Sequence, residues 1–190
     1  ILQLSLISLF FSLLPGINIS YANEQTSKTE LRGLLQQAIR DSSSFKDRFD
    51  AEVWLLDMSN RLKKFVPNDR KRLKLLRQVH FEATRVKLHP ELVLAVINVE
   101  SNFNRFAISS AGAQGLMQVM PFWLKEIGKQ NDNLFDVRTN LRMGCTILKY
   151  YIDKEKGDLT RALARYNGSL GKYKYPNKVF RLLNKHWYKN

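Results

Sequence analysis

Residues 91–103 read ELVLAVINVESNF, and residues 109–121 read SSAGAQGLMQVMP. The first stretch is an apolar run of Leu92, Val93, Leu94, Val96, Ile97 and Val99, closed by one acidic residue, Glu100, and then Ser101. His89-Pro90-Glu91 opens it as a helix, with Pro90 at a favoured first-turn position. A carboxyl set against apolar surface is expected to hold its proton to higher pH, because desolvation disfavours the charged form. That is the condition a general acid needs near neutrality. Most glutamates at the end of an apolar helix are merely solvated. The glycine-punctuated stretch after it, and Tyr166-Asn167-Gly168 downstream, give Glu100 its weight.

Outward from this centre the pattern stays helical. On the N-terminal side, amphipathic stretches lie near Leu31–Ile39 and Phe45–Phe65, the second with Phe49, Val53, Leu56 and Leu62 near one face. Pro67-Asn68-Asp69 reads as a stop followed by a cap. The basic helix over 70–87 carries an apolar stripe of Leu73, Leu76, Val79 and Ala83, with Arg70, Lys71, Arg72, Lys74 and Arg77 around the rest. Beyond Pro121, a short apolar helix is expected over 122–127, with Phe122 and Trp123 read as core aromatics. Asp136 caps a long helix to about Lys154, carrying Leu141, Cys145, Leu148 and Tyr151. Asp158 caps another to about Arg165. A final helix runs from Tyr175 to Trp187 with Val179, Leu182 and Leu183 inward. No alternation of period two and no internal repeat is found, so the expected fold class is all-α.

The chain has 190 residues, 44% of them hydrophobic, enough for one packed domain and an appendage. Its 31 basic and 17 acidic residues leave a formal charge of +14. Such an excess points to a polyanionic partner: nucleic acid, an anionic membrane or an acidic cell-wall polymer. Residues 1–14, ILQLSLISLFFSLL, are apolar and uncharged, Pro15-Gly16 break them, and Ser20-Tyr21-Ala22 fits a small-x-small cleavage site. That is a signal-peptide core and c-region, entered part-way. The organisation expected is a signal peptide over 1–22, a helical extension over 23–66 and the main domain over 67–190. Cys145 is the only cysteine, so neither an intramolecular disulfide nor a cysteine zinc cluster forms. It falls in a helical pattern as a small buried hydrophobe. His80, His89 and His186 lack ligand spacing, so no metal and no cofactor are expected.

Three elements in order resemble the soluble lytic murein transglycosylase (SLT) domain family, with the goose-type lysozyme fold as a relative. They are Glu100-Ser101, Gly112-Ala113-Gln114-Gly115-Leu116-Met117-Gln118-Val119-Met120-Pro121, and Ala164-Arg165-Tyr166-Asn167-Gly168. Asn140-Leu141-Arg142-Met143-Gly144 resembles the family's helix behind the cleft. The resemblance implies a lysozyme-like helical domain preceded by extra N-terminal helices. It implies cleavage of the β-1,4 bond between N-acetylmuramic acid and N-acetylglucosamine, with a 1,6-anhydromuramoyl product and Glu100 as acid, then base. Ordinary glycosidases use two carboxylates. Here one candidate stands out, and Asp132, Asp136, Asp153 and Asp158 read as loop polar groups or caps. By the same resemblance Ser101 orients Glu100 or meets the acetamido group, and Gly112 and Gly115 let the loop approach the glycan. Met117 and Gln118 line the cleft, Tyr166 points its hydroxyl at Glu100, and Asn167 contacts sugar.

The expected substrate is the glycan strand of peptidoglycan, met by a monomer in the periplasm or outside the cell, peripheral to the membrane at most. An envelope-spanning secretion, pilus or flagellar apparatus is a candidate partner. The alternatives are a hydrolytic muramidase, which needs a positioned water and a second carboxylate, and a non-catalytic wall-binding assembly factor. A nucleic-acid binder built on the basic helix over 70–87 conflicts with the export signal, and no nucleic acid is expected.

Overall fold

The computed structural model describes residues 32–38, 43–45 and 47–188. The chain divides into two units, Ile1–Gly33 and Leu34–Asn190, and the second carries the helical fold. The expected signal peptide lies outside the described residues. Residues 34–38 lie in a helix, α1. Then come α2 (Arg48–Leu62), α3 (Asp69–Arg85), α4 (Pro90–Glu100), α5 (Trp123–Ile127), α6 (Val137–Lys154), α7 (Leu159–Tyr166) and α8 (Lys174–Leu182). A π-helical turn, Leu183–Trp187, continues α8 directly. Extended pairing among the described residues is confined to two isolated bridges, so the all-α expectation holds.

The helix starts are set by side chains that accept otherwise unpartnered backbone N–H groups. Asp47 accepts from Asp50, Asn68 from Lys71, Asp136 from Thr139 and Asp158 from Arg161, each at 2.8–2.9 Å. At the centre lies α4, whose residues Leu92 to Ile97 are all 5% exposed or less. It packs against α3, α8 and the π-turn, while α6 packs on α3 and α7. The stripe Leu73, Leu76, Val79 and Ala83 is buried as its period requires.

Two sequence expectations change. On α2 the inward face is Ala51, Leu55, Met58, Ser59 and Leu62. Phe49 is 75% exposed, and Val53 and Leu56 are exposed as well. Both stripes have helical spacing, and docking on α3 selects the one with the smaller Ala51 and Ser59. Arg72, read as one of the surrounding cations, is buried. It donates to Ser59 Oγ at 2.9 Å, to the Val66 carbonyl at 2.7 Å and to the Pro67 carbonyl at 2.9 Å, and pairs with Asp69. A buried guanidinium is tolerable only when its donors are used in this way. These bonds clamp the α2–α3 connection. Further ties join the N-terminal part to α3 and α4: Trp54 Nε1 donates to Glu91 Oε1 at 2.7 Å, and Phe45 stacks on His80 at 3.6 Å.

Candidate active site

Glu100 ends α4, and the chain turns sharply away from it. Asn102 and Phe103 adopt φ of 50° and 66°, successive left-handed conformations that cost non-glycine residues free energy. Burial of the Phe103 ring offsets part of that cost: it lies 5.1 Å from the Phe65 ring and 5.5 Å from Trp187. The turn leaves the Glu100 carboxyl facing the start of α8, where Tyr175 donates its hydroxyl to Oε1 at 2.5 Å. Burial pushes the Glu100 pKa up from the ordinary 4.5 to about 7; the Tyr175 hydrogen bond and the charge of Lys178 pull the other way without cancelling it. Tyr175 and Tyr166 both hold their protons well above the usual tyrosine range, through burial and the proximity of Glu100. Both are therefore standing donors.

The stretch after the turn is a loop held to its surroundings at consecutive backbone positions. Ser101 Oγ donates to the Leu116 carbonyl at 2.8 Å. The Met117 N–H donates to Asn140 Oδ1 at 2.8 Å, and its carbonyl accepts from the Tyr166 hydroxyl at 2.7 Å. Asn140 is buried on α6, and its amide nitrogen donates to the Gln114 and Leu134 carbonyls at 2.8 and 2.9 Å. Gly115 sits at φ 79°, where a Cβ would collide with the Asn140 amide and the Leu134 carbonyl. Glycine is the residue that lets the loop lie on Asn140. Gly144 does the same for a side chain: a Cβ there would sit 2.7 Å from Cβ of Met117.

The sequence-predicted residues therefore divide. Ser101 bonds to the loop and to the Ile97 carbonyl at 3.2 Å, not to Glu100. Met117 is fully buried against Gly144, with its sulfur 4.0 Å from Cys145 Sγ, so its side chain is core and does not line a cleft. The amide nitrogen of Gln118 turns inward to the Ala107 and Gly115 carbonyls at 3.1 and 2.9 Å. Tyr166, expected on Glu100, bonds to the Met117 carbonyl instead, because the start of α8 brings Tyr175 to the carboxyl. Gly115 holds its predicted place in the loop but is buried. Asn167, the C-cap of α7, is exposed. Phe122 is exposed where a core aromatic was expected, and its ring lies 5.2 Å from Trp123. Tyr175 is the hydrogen-bond partner of the Glu100 carboxyl that sequence reasoning missed. In the sequence it reads only as the start of a helix, and its one local signal is the following Pro176, which favours a first helical turn.

Of the acids downstream, Asp132, Asp136, Asp153, Glu155 and Asp158 have structural partners, and Glu126 is exposed on α5. Asp132 accepts from the Lys129 N–H at 2.7 Å and pairs with Arg142; against desolvation, the Lys129 bond and then Arg142 hold its carboxyl below the usual range. Asp136 and Asp158 are caps, and Asp153 pairs with Lys149. Glu155 pairs with Arg161 and Arg165. Cys145 is fully buried, and its thiol pKa is pushed up by desolvation, as expected of a small hydrophobe. Among the described residues, the chemistry on offer here is one carboxyl with a pKa raised to about 7, beside a tyrosine donor and a loop held by hydrogen bonds.

The family model of the transglycosylase SLT domain matches residues 78–185, more than half the chain. A transglycosylase of enterobacteria phage PRD1 is 33% identical over 109 residues, covering 54% of this chain and 40% of that protein. The membrane-bound lytic murein transglycosylase C of Yersinia pestis is 33% identical over 124 residues, covering 56% of this chain and 35% of that protein. The chain thus spans 35–40% of the length of these relatives. Among solved structures, the lytic transglycosylase Slt of Pseudomonas aeruginosa aligns with 81% of this chain and 31% of its own, at 20% identity and a TM-score of 0.46.

Proposed function

This chain belongs to the transglycosylase SLT domain family, and from that premise we propose that it cleaves peptidoglycan glycan strands as a lytic transglycosylase. The observation that carries the reading is the Glu100 carboxyl, half-buried at the end of α4, held by Tyr175 and raised to a pKa of about 7. In the proposed reaction Glu100 donates its proton to the oxygen linking N-acetylmuramic acid to N-acetylglucosamine, and that bond breaks. The acetamido group of the muramoyl sugar supports the cationic anomeric carbon. Glu100, now a carboxylate, takes the proton of the sugar's own 6-hydroxyl as that oxygen bonds to the anomeric carbon. The carboxyl ends protonated as it began, no water is consumed, and the product carries a 1,6-anhydro ring.

A single carboxyl suffices for this sequence of steps, whereas hydrolysis by the two-carboxylate route needs a second. Tyr175 fixes the carboxyl's position and favours its charged form, which balances the acid and base halves of the cycle. The loop tied by Ser101, Asn140 and Tyr166 supplies a backbone wall beside Glu100, and Asn167 is the open polar side chain for sugar. Residues 47–66 brace the catalytic part, a role supported by the Arg72 clamp and the Trp54–Glu91 bond. We place the activity in the periplasm or cell wall, as local opening of the wall beside an envelope-spanning apparatus. A deletion strain with normal secretion and motility but altered bulk muropeptides would contradict that last assignment.

The test is mass spectrometry of the muropeptides released from purified sacculi by the protein and by Glu100→Gln. The reading predicts products one water lighter than reducing muropeptides, absent with the variant. Reducing ends would make the protein a muramidase. Binding without release would make it a wall-binding factor.

A further inference from the structure

From Leu159 to Asn190 the sequence has eight Lys and Arg residues and no Asp or Glu. Arg161 and Arg165 are taken up by Glu155. The others include Lys174, Lys178 and Arg181 on α8, spaced four and three residues apart and so on one helical face. All three are exposed, and none makes an ion pair among the described residues. This placement works against the helix itself. Lys174 stands at the positive end of the helix dipole, and like charges four apart repel.

The same helix delivers Tyr175 to Glu100 at 2.5 Å, so the stripe lies on the helix that holds the carboxyl. Lys178, three residues after Tyr175, is close enough for its charge to act on the Glu100 carboxyl. A cationic stripe that has no acid of its own, on the helix that holds the Glu100 carboxyl, fits an anionic group carried by the substrate. Resting on the proposed transglycosylase reading, we infer that Lys174, Lys178 and Arg181 bind the carboxylates of the acidic peptides attached to the glycan, so that the protein prefers peptide-bearing strands to bare ones.

The test is the affinity of the protein for soluble glycan oligomers, with their peptides and after an amidase has stripped them, at low and moderate salt. Removing three partly screened charge contacts with K174Q/K178Q/R181Q should weaken binding of peptide-bearing oligomers by about tenfold. It should leave bare oligomers unchanged and flatten the salt dependence. Wild-type protein that binds both forms equally, or a variant that keeps the preference or loses both forms alike, would overturn the inference. Products scored in the same samples separate it from the activity. A peptide preference without cleavage contradicts the transglycosylase reading alone. Cleavage with no preference contradicts the peptide site alone.

Discussion

Replacing Glu100 by Gln should make the protein more stable at neutral and alkaline pH while removing its activity. The carboxyl's pKa rises from an ordinary 4.5 to about 7 on folding. The folded state therefore binds more protons than the unfolded chain across that window, and stability falls as pH rises through it. Above the folded value the whole cost is present. For a rise of that size it amounts to about 3 kcal/mol, and below about pH 4 it vanishes. Gln is nearly isosteric, keeps an oxygen for the Tyr175 hydroxyl and never ionises, so it escapes the cost. At roughly 2–4 °C per kcal/mol, the variant should melt about 6–12 °C above wild type near pH 8 and within about a degree of it near pH 4. Paired thermal melts by circular dichroism at the two pH values read this directly. A melting difference that is the same at both, or that favours wild type near pH 8, would refute the claim that burial holds the Glu100 proton.

Tyr175→Phe removes the hydrogen bond that favours the Glu100 carboxylate, so the alkaline limb of the pH–rate profile should move to higher pH and turnover should fall by about tenfold; an unmoved limb would place Tyr175 outside the acid–base step. Gly115→Ala forces a Cβ into Asn140 and the Leu134 carbonyl at a left-handed φ; urea unfolding should show a loss of about 2–4 kcal/mol, and a change within experimental error would contradict the described loop seat. Asn140→Ala strands the Met117 N–H and two carbonyls; a loss of about 3 kcal/mol or more is expected in the same assay, with a smaller effect meaning that water replaces the amide.

Much of this architecture was legible because its causes are local. Asn68, Asp136 and Asp158 announce helix starts by chemistry that acts within four residues, and the stripe on α3 follows its period. Glu100 stood out because six apolar residues precede it. What escaped depends on packing between distant segments. α2 has two apolar stripes, and the sequence of α2 alone does not say which meets α3. Tyr166 and Tyr175 are both tyrosines near helix ends, nine residues apart, and only the angle between α7 and α8 decides which hydroxyl reaches Glu100. Ser101, Met117 and Gln118 belong to motifs that the fold ties together through the Leu116 carbonyl. Their side chains are used to build and seat the loop, a use that residue identity does not encode.

In the proposed reaction one carboxyl completes both steps without water. Digesting sacculi in water enriched in oxygen-18 tests this most directly. The expected result is that the new muramoyl ends carry no heavy oxygen, because the 6-hydroxyl of the sugar closes the bond. A gain of about two mass units at those ends, the signature of solvent attack in a two-carboxylate route, would contradict it.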